Sequence, residues 1–155
     1  MANAPAEAPW HAAFPTPRAT VVGGDIPSLT ADELQAKLEA EPELEKRSFV
    51  VVDVRRTDFE DGFISGAINL PAHSLYPTLP GLLPMLSRHA LVIFHCNSCS
   101  AGGRGHRSAG WYQDALDQAG VGKDVSRAAV LEGGIKGWLK GASEGGKREK
   151  LTVKL

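Results

Sequence analysis

Cys96 and Cys99, with the glycine-rich run that follows them, are where this sequence concentrates residues able to do chemistry. Cys96 follows His95 at the end of an apolar run over residues 90–94 and precedes Asn97-Ser98-Cys99-Ser100-Ala101-Gly102-Gly103-Arg104-Gly105. Small residues and glycines give a loop the φ values that turn successive backbone N–H groups toward one point, which makes a socket for an oxyanion. A helix starting just after such a loop aims its positive end at the same point, and Arg104 adds a planar, permanently charged fork for bidentate contact with a tetrahedral oxyanion. The same fields favour a thiolate, so a thiol placed there falls below its free pKa of about 8.5 and becomes a nucleophile at neutral pH. Cys96 and Arg104 are the candidate catalytic pair, and Asn97, Ser98, Cys99, Ser100, Ala101, Gly102, Gly103 and Gly105 are the candidate substrate-binding loop.

The competing reading of Cys96 is a small buried hydrophobe that ends a strand. The joint presence of loop, arginine and following helix argues against it, because an anion site needs those parts together. Side chains alternate along a strand, so His95 starts out on the opposite side from Cys96 and is better suited to a structural hydrogen bond with the loop than to catalysis. Arg107 is either a second anion contact or a solvated residue of the helix's first turn. Asp58, Glu60 and Asp61 have no convergent spacing, which predicts solvated or capping roles. Asp53 lies inside an apolar run and must find a partner in loop backbone or an arginine.

The elements that must position these residues follow from patterning. Residues 49–54 are a continuous β-branched run, the mark of a strand covered on both faces. Residues 67–70, 90–94 and 128–131 are further strand candidates. Ser28 or Thr30 can cap a helix over residues 31–40 with Leu34 and Leu38 on its inner face, and helical patterns recur over 106–118 and 135–139. Pro77, Pro80 and Pro84 predict a loop with at most a short helix around 82–86. Alternating strands and helices imply an α/β fold of three layers, a central parallel sheet with helices on both faces. In such a sheet ligands sit beyond the C-terminal strand ends, where Cys96 stands.

The expected organisation is a mobile arm over residues 1–18, a domain over 19–140, and a tail over 141–155 that either adds an edge strand at Leu151, Val153 and Leu155 or stays loose. A chain of 155 residues with 43% hydrophobic and 23% charged residues has a globular composition. Its formal net charge of -1 gives no basic field for nucleic acid or an anionic membrane. No stretch approaches the roughly 20 apolar residues of a membrane span, and residues 1–18 hold no run of signal-peptide length, so the expected location is cytoplasmic or nuclear. Two cysteines three residues apart suit neither a loop-closing disulfide nor a zinc site, and no metal or cofactor is expected.

Longer motifs also carry a resemblance. Val52-Asp53-Val54-Arg55 with Phe59-Glu60, then Gly62-Phe63-Ile64-Ser65-Gly66-Ala67-Ile68-Asn69-Leu70-Pro71, resembles the first signature of rhodanese domains, and Leu131-Glu132-Gly133-Gly134-Ile135-Lys136-Gly137-Trp138 resembles their closing signature. Within that superfamily, His95-Cys96 and Arg104-Gly105-His106-Arg107 resemble fungal rhodanese-like proteins akin to cell-cycle dual-specificity phosphatases and arsenate reductases. The resemblance implies that Cys96 attacks phosphorus or arsenic while Arg104 and loop amides hold the oxyanion, with a small oxyanion or phosphorylated substrate and a thiol reductant as partners. That branch places five residues between cysteine and arginine, whereas seven stand here. The two additional residues either bulge outward and leave the cradle intact or widen it. Cys99 to Arg104 also resembles the C-x-x-G-x-R loop of single-domain sulfurtransferases, which implies a persulfide route, and a second nearby thiol equally permits disulfide exchange with a modified Cys96. A rhodanese-fold binding module without turnover is the third alternative.

Overall fold

The computed structural model describes residues 8–142 and 146–155. In chain order the elements are β1 (Ser28–Leu29), α1 (Ala31–Ala40), β2 (Phe49–Asp53), β3 (Gly62–Ile64), β4 (Ile68–Asn69), α2 (Ala72–Leu86), β5 (Leu91–His95), α3 (Arg104–Gln118), β6 (Arg127–Leu131), α4 (Gly134–Ala142), α5 (Lys147–Lys150) and β7 (Thr152–Lys154). Five strands form a parallel sheet in the order β1-β6-β5-β2-β4. All five residues of β2 are buried, as its β-branched run requires of a strand covered on both faces.

The twofold alternation along β2 sorts the core into two layers. Val50 and Val52, with Val54 just past the strand, pack with Leu75 and Leu79 of α2, Phe94 of β5, and Tyr112 and Leu116 of α3. Phe49 and Val51 face the opposite layer, where Leu34 and Leu38 of α1 meet Ile135 and Trp138 of α4. Leu34 and Leu38 are fully buried, and each such side chain contributes about 1.5–3 kcal/mol. Thr30 caps α1, its hydroxyl accepting from the Glu33 amide at 3.1 Å, and Ser28, the other capping candidate, lies in β1.

The prolines give the largest departure from expectation. Residues 72–86 form one 15-residue helix that contains Pro77, Pro80 and Pro84. All three prolines are exposed, while Ala72, Leu75, Leu79 and Leu86 are buried at helical spacing on the other face. The backbone bonds that proline omits are lost on the solvent side, and the apolar stripe outweighs a penalty of about 3 kcal/mol per interior proline.

The N-terminal segment also differs from expectation, while the C-terminal tail does supply a strand. Residues 1–7 lie outside the described residues, but the rest of the supposed mobile arm is packed down. Trp10 lies against His73 and edge-on to Trp111, with ring centroids 4.5 and 5.9 Å apart. Trp111 Nε1 donates to the Pro15 carbonyl at 2.8 Å, and the Asp114 carboxylate accepts from the Arg18 and Ala19 amides at 2.7 and 2.9 Å. Gly110 permits this approach, since a Cβ there would meet Pro17 and the Ala19 carbonyl at 2.5 and 2.6 Å. At the other end, β7 pairs antiparallel with β3 in a separate two-stranded sheet and does not extend the main one. The buried Trp138 donates its Nε1 proton to Thr152 Oγ1 at 2.9 Å, which ties that sheet to α4.

Candidate active site

Strand β5 ends at His95, which delivers Cys96 to the C-terminal edge of the sheet, between neighbours β2 and β6. From there the chain loops through residues 97–103 into α3, which starts at Arg104. The base of the loop is held by the start of α4, where the Cys96 and Asn97 carbonyls accept from the Ile135 and Lys136 amides, each at 3.0 Å. Gly134, at φ +58°, makes this possible, because a Cβ there would lie 2.6 Å from both carbonyl oxygens. Gly134 of the closing motif thus lets the start of α4 clamp the cysteine loop.

The Cys96 sulfur accepts hydrogen bonds from the Cys99 thiol and from the backbone amides of Gly105 and Cys99. Those bonds, the Cys99 thiol first among them, together with the nearby Arg104 charge, outweigh the cost of burial and bring the Cys96 pKa down to about 5. Cys99 responds in the opposite sense: its bond to Cys96, burial and the Cys96 charge hold its thiol protonated far above the ordinary range. At neutral pH the pair is one thiolate and one thiol.

Arg104 is committed elsewhere in this state. Its Nη1 and Nη2 donate to Asp58 Oδ1 and Oδ2 at 2.7 and 2.6 Å, a bidentate pair at the mouth of the site. The pairing drives Asp58 well below the carboxylate range and raises Arg104 further. An incoming oxyanion must draw the guanidinium from this carboxylate, or share it. Asp58 Oδ1 also accepts from the Arg56 amide at 3.1 Å, so the capping role expected of it is present together with an ion pair that spacing did not reveal.

His95 is fully buried and, as its strand position implies, serves structure. Burial keeps the ring neutral, so Nδ1 donates to the Cys96 carbonyl at 3.0 Å, while Nε2 sits 3.7 Å from Asp53 without a hydrogen bond. Asp53 takes an arginine partner: Arg55 Nε lies 3.0 Å from both carboxylate oxygens and Nη2 lies 2.7 Å from Oδ2. Arg107 Nε donates to the Gly102 carbonyl at 2.8 Å, bracing the loop.

Within the loop, Gly103 N–H is spent on the Ser100 carbonyl at 3.0 Å, which removes it from any cradle. Ser98, Ser100, Ala101 and Gly102 are exposed and Asn97 is partly so, whereas Cys96 and Cys99 are buried, 4% and 7% exposed. A cleft of about 150 Å³ opens at the start of the loop, lined by Asn97 together with Asp58 and Lys136. Sequence reasoning did not reach His106, in the first turn of α3, which is hydrogen-bonded to the Cys99 backbone and stands in the field of Cys96. Its place one helical turn past the loop was the available signal. Among the described residues no group of three or more His, Cys, Asp or Glu side chains is placed to hold a metal ion, and no helix is long and apolar enough to cross a membrane.

The thiolate assignment has a direct consequence. Alkylation of Cys96 by iodoacetamide is expected to be half-maximal near pH 5 and flat above about pH 6.5, because thiolate fraction saturates above the pKa. An ordinary thiol would keep gaining about tenfold per pH unit toward 8.5. A rate still climbing between pH 7 and 8 would contradict the three-bond arrangement around the sulfur.

Comparison with known proteins places this geometry. A family described as Rhodanese-like domain matches residues 30–141. Arsenate reductase 2.2 of Oryza sativa subsp. japonica is 33% identical over 98 residues, covering 63% of this chain and 74% of the relative. A yeast protein tyrosine phosphatase of the Rhodanese family superposes with a TM-score of 0.63 at 26% identity, covering 83% of this chain and 92% of that one. A thiosulfate sulfurtransferase from Pseudomonas aeruginosa superposes with a TM-score of 0.50 at 28% identity over 79% of this chain, but this covers 20% of that larger protein.

Proposed function

We propose that this chain, which belongs to the rhodanese-like domain family, is a cysteine-dependent enzyme acting on tetrahedral oxyanions, with arsenate reduction and phosphomonoester hydrolysis as its chemistry and Cys96 as its nucleophile. The observation that carries the reading is the Cys96 sulfur at a strand end, accepting from two backbone amides and a thiol, with an arginine charge close by. Such a sulfur is a thiolate at neutral pH and attacks an electrophilic arsenic or phosphorus centre. The similarity to a protein named as an arsenate reductase, and to a structure named as a tyrosine phosphatase, supports the same class of substrate. Arg104 would supply charge to the oxyanion once released from Asp58, and the amides of Asn97, Ser98, Ser100, Ala101 and Gly102 would supply backbone donors, while those of Cys99 and Gly105 hold the Cys96 sulfur.

The reading is tested by assaying purified protein with arsenate plus a thiol reductant, with an aryl phosphate, and with thiosulfate plus cyanide. Turnover on either of the first two is expected. Sulfur transfer to cyanide with neither of the other activities would overturn the proposal.

One observation favours a second reading. The sulfurtransferase superposition shows that the domain also resembles a scaffold whose named substrate is thiosulfate. A sulfane sulfur would load on Cys96, since Cys99 is held protonated. A mass gain of one sulfur on the Cys96 peptide after thiosulfate treatment supports that route, and an unchanged mass removes it.

A further inference from the structure

The mechanism above uses Cys99 only to stabilise Cys96, yet the loop spends conformational energy to place it. Cys99 adopts φ +53°, a left-handed conformation uncommon outside glycine, and this bend turns its side chain back toward the strand end. The two residues are reciprocally bonded: the Cys99 thiol and amide donate to the Cys96 sulfur, and the Cys96 amide donates to the Cys99 sulfur. Gly105 shows how close the packing is. A Cβ on it would lie 2.9 Å from the Cys99 sulfur and 3.3 Å from the Cys96 nitrogen, so the helix passes the pair with only a glycine. Both thiols are buried together, and the chain has no third cysteine.

From this geometry we infer that Cys99 is a second redox-active thiol of the site, resolving an arsenylated Cys96 by forming a Cys96–Cys99 disulfide within one chain. The inference rests on the oxyanion reading and deepens it, because it makes arsenate reduction stoichiometric in the protein's own thiols. In the first step the Cys96 thiolate attacks arsenic of dihydrogen arsenate, an As–S bond forms, and one oxygen leaves as water after taking a proton from solvent. In the second step the Cys99 sulfur attacks the Cys96 sulfur. The S–S bond forms as the S–As bond breaks, its electron pair stays on arsenic, and the Cys99 proton passes to the departing arsenite. Arsenic(V) gains two electrons and becomes arsenic(III), and two thiols become one disulfide. An external thiol is needed only to reopen that disulfide.

The resting state explains the order of events. Cys99 stays protonated because Cys96 is an anion beside it. Once Cys96 is esterified to arsenic it loses that charge and ceases to be the acceptor, so the largest cause holding the Cys99 proton disappears and burial is left to oppose its loss. Cys99 is therefore inert until its partner is loaded.

The test is a single-turnover experiment on the full chain, fully reduced, freed of small thiols and kept anaerobic, with sodium arsenate as probe. One arsenite per chain is expected, with loss of both free thiols and a Cys96–Cys99 peptide lighter by two hydrogens in mass spectrometry. Cys99→Ser is expected to release at least about a hundredfold less arsenite without thiol, and millimolar glutathione should restore release by replacing the missing sulfur. The inference is overturned if wild-type protein reduces arsenate with glutathione but forms no internal disulfide without it; the oxyanion reading then survives. Absence of arsenate reduction under any thiol overturns the inference, and overturns the oxyanion reading as well when aryl phosphate is not turned over either. Disulfide mapping on the wild-type chain decides the matter even if Cys99→Ser fails to fold.

Discussion

Cys96→Ser is expected to lower arsenate reduction and phosphomonoester turnover by at least about a thousandfold while leaving the thermal midpoint nearly unchanged. Serine fits the space, so β5, the Ile135 and Lys136 clamps on the loop and the buried His95 bond all persist. What disappears is the anion. A hydroxyl stays neutral where the thiol is ionised, and the Gly105 and Cys99 amides then face a far weaker nucleophile. The substitution also has a signature that a merely structural role would not give. Cys99 loses the negative neighbour that holds its proton, so its titration moves down toward that of an ordinary thiol. Steady-state kcat/KM together with a Cys99 alkylation profile against pH measures both effects. Residual activity within tenfold of wild type would remove Cys96 from the reaction.

The legible parts of this protein were those written in short-range pattern. The β-branched run of β2 implied burial on both faces, and alternation along it separated the two core layers. The cysteine loop could be placed at a strand end because residues 90–94 are apolar and the glycines follow at once. Helix α2 was hidden because three prolines signal a break locally, whereas the stripe of Ala72, Leu75, Leu79 and Leu86 acts only once a sheet exists to receive it. The Asp58–Arg104 pair was hidden for a different reason. The two residues stand 46 apart, and only the adjacency of β2 and β5 brings the loop after one strand to the loop after the other. The packing of Trp10 and Phe14 against α2 and α3 was invisible for the same reason, since a proline- and alanine-rich segment without periodicity gives no sign of a partner. Mutual bonding of Cys96 and Cys99 depends on a positive φ at a non-glycine residue, which no residue preference announces.

The ion pair beneath the site sets the second large effect. Arg55→Met is expected to destabilise the domain by about 3–5 kcal/mol, a large share of the roughly 5–15 kcal/mol that holds a typical domain together. Asp53 and Arg55 are 0% and 1% exposed, and removal of the guanidinium strands a buried carboxylate beside an already unpartnered His95 Nε2. The loss extends further, because Arg55 also donates to the Asp58, Glu60 and Gly62 carbonyls at 3.3, 3.0 and 2.8 Å. Those bonds fix the segment that carries Asp58 to Arg104. Urea unfolding should show a lower midpoint with an unchanged slope. Asp53→Asn in the Arg55→Met background separates the two contributions, since it removes the stranded charge but leaves the three carbonyls without their donor. Partial recovery is therefore expected. A double variant no more stable than Arg55→Met alone would mean that backbone anchoring, and not the buried charge, dominates the cost. The segment that frames Arg104 would then be held chiefly by neutral hydrogen bonds to one arginine.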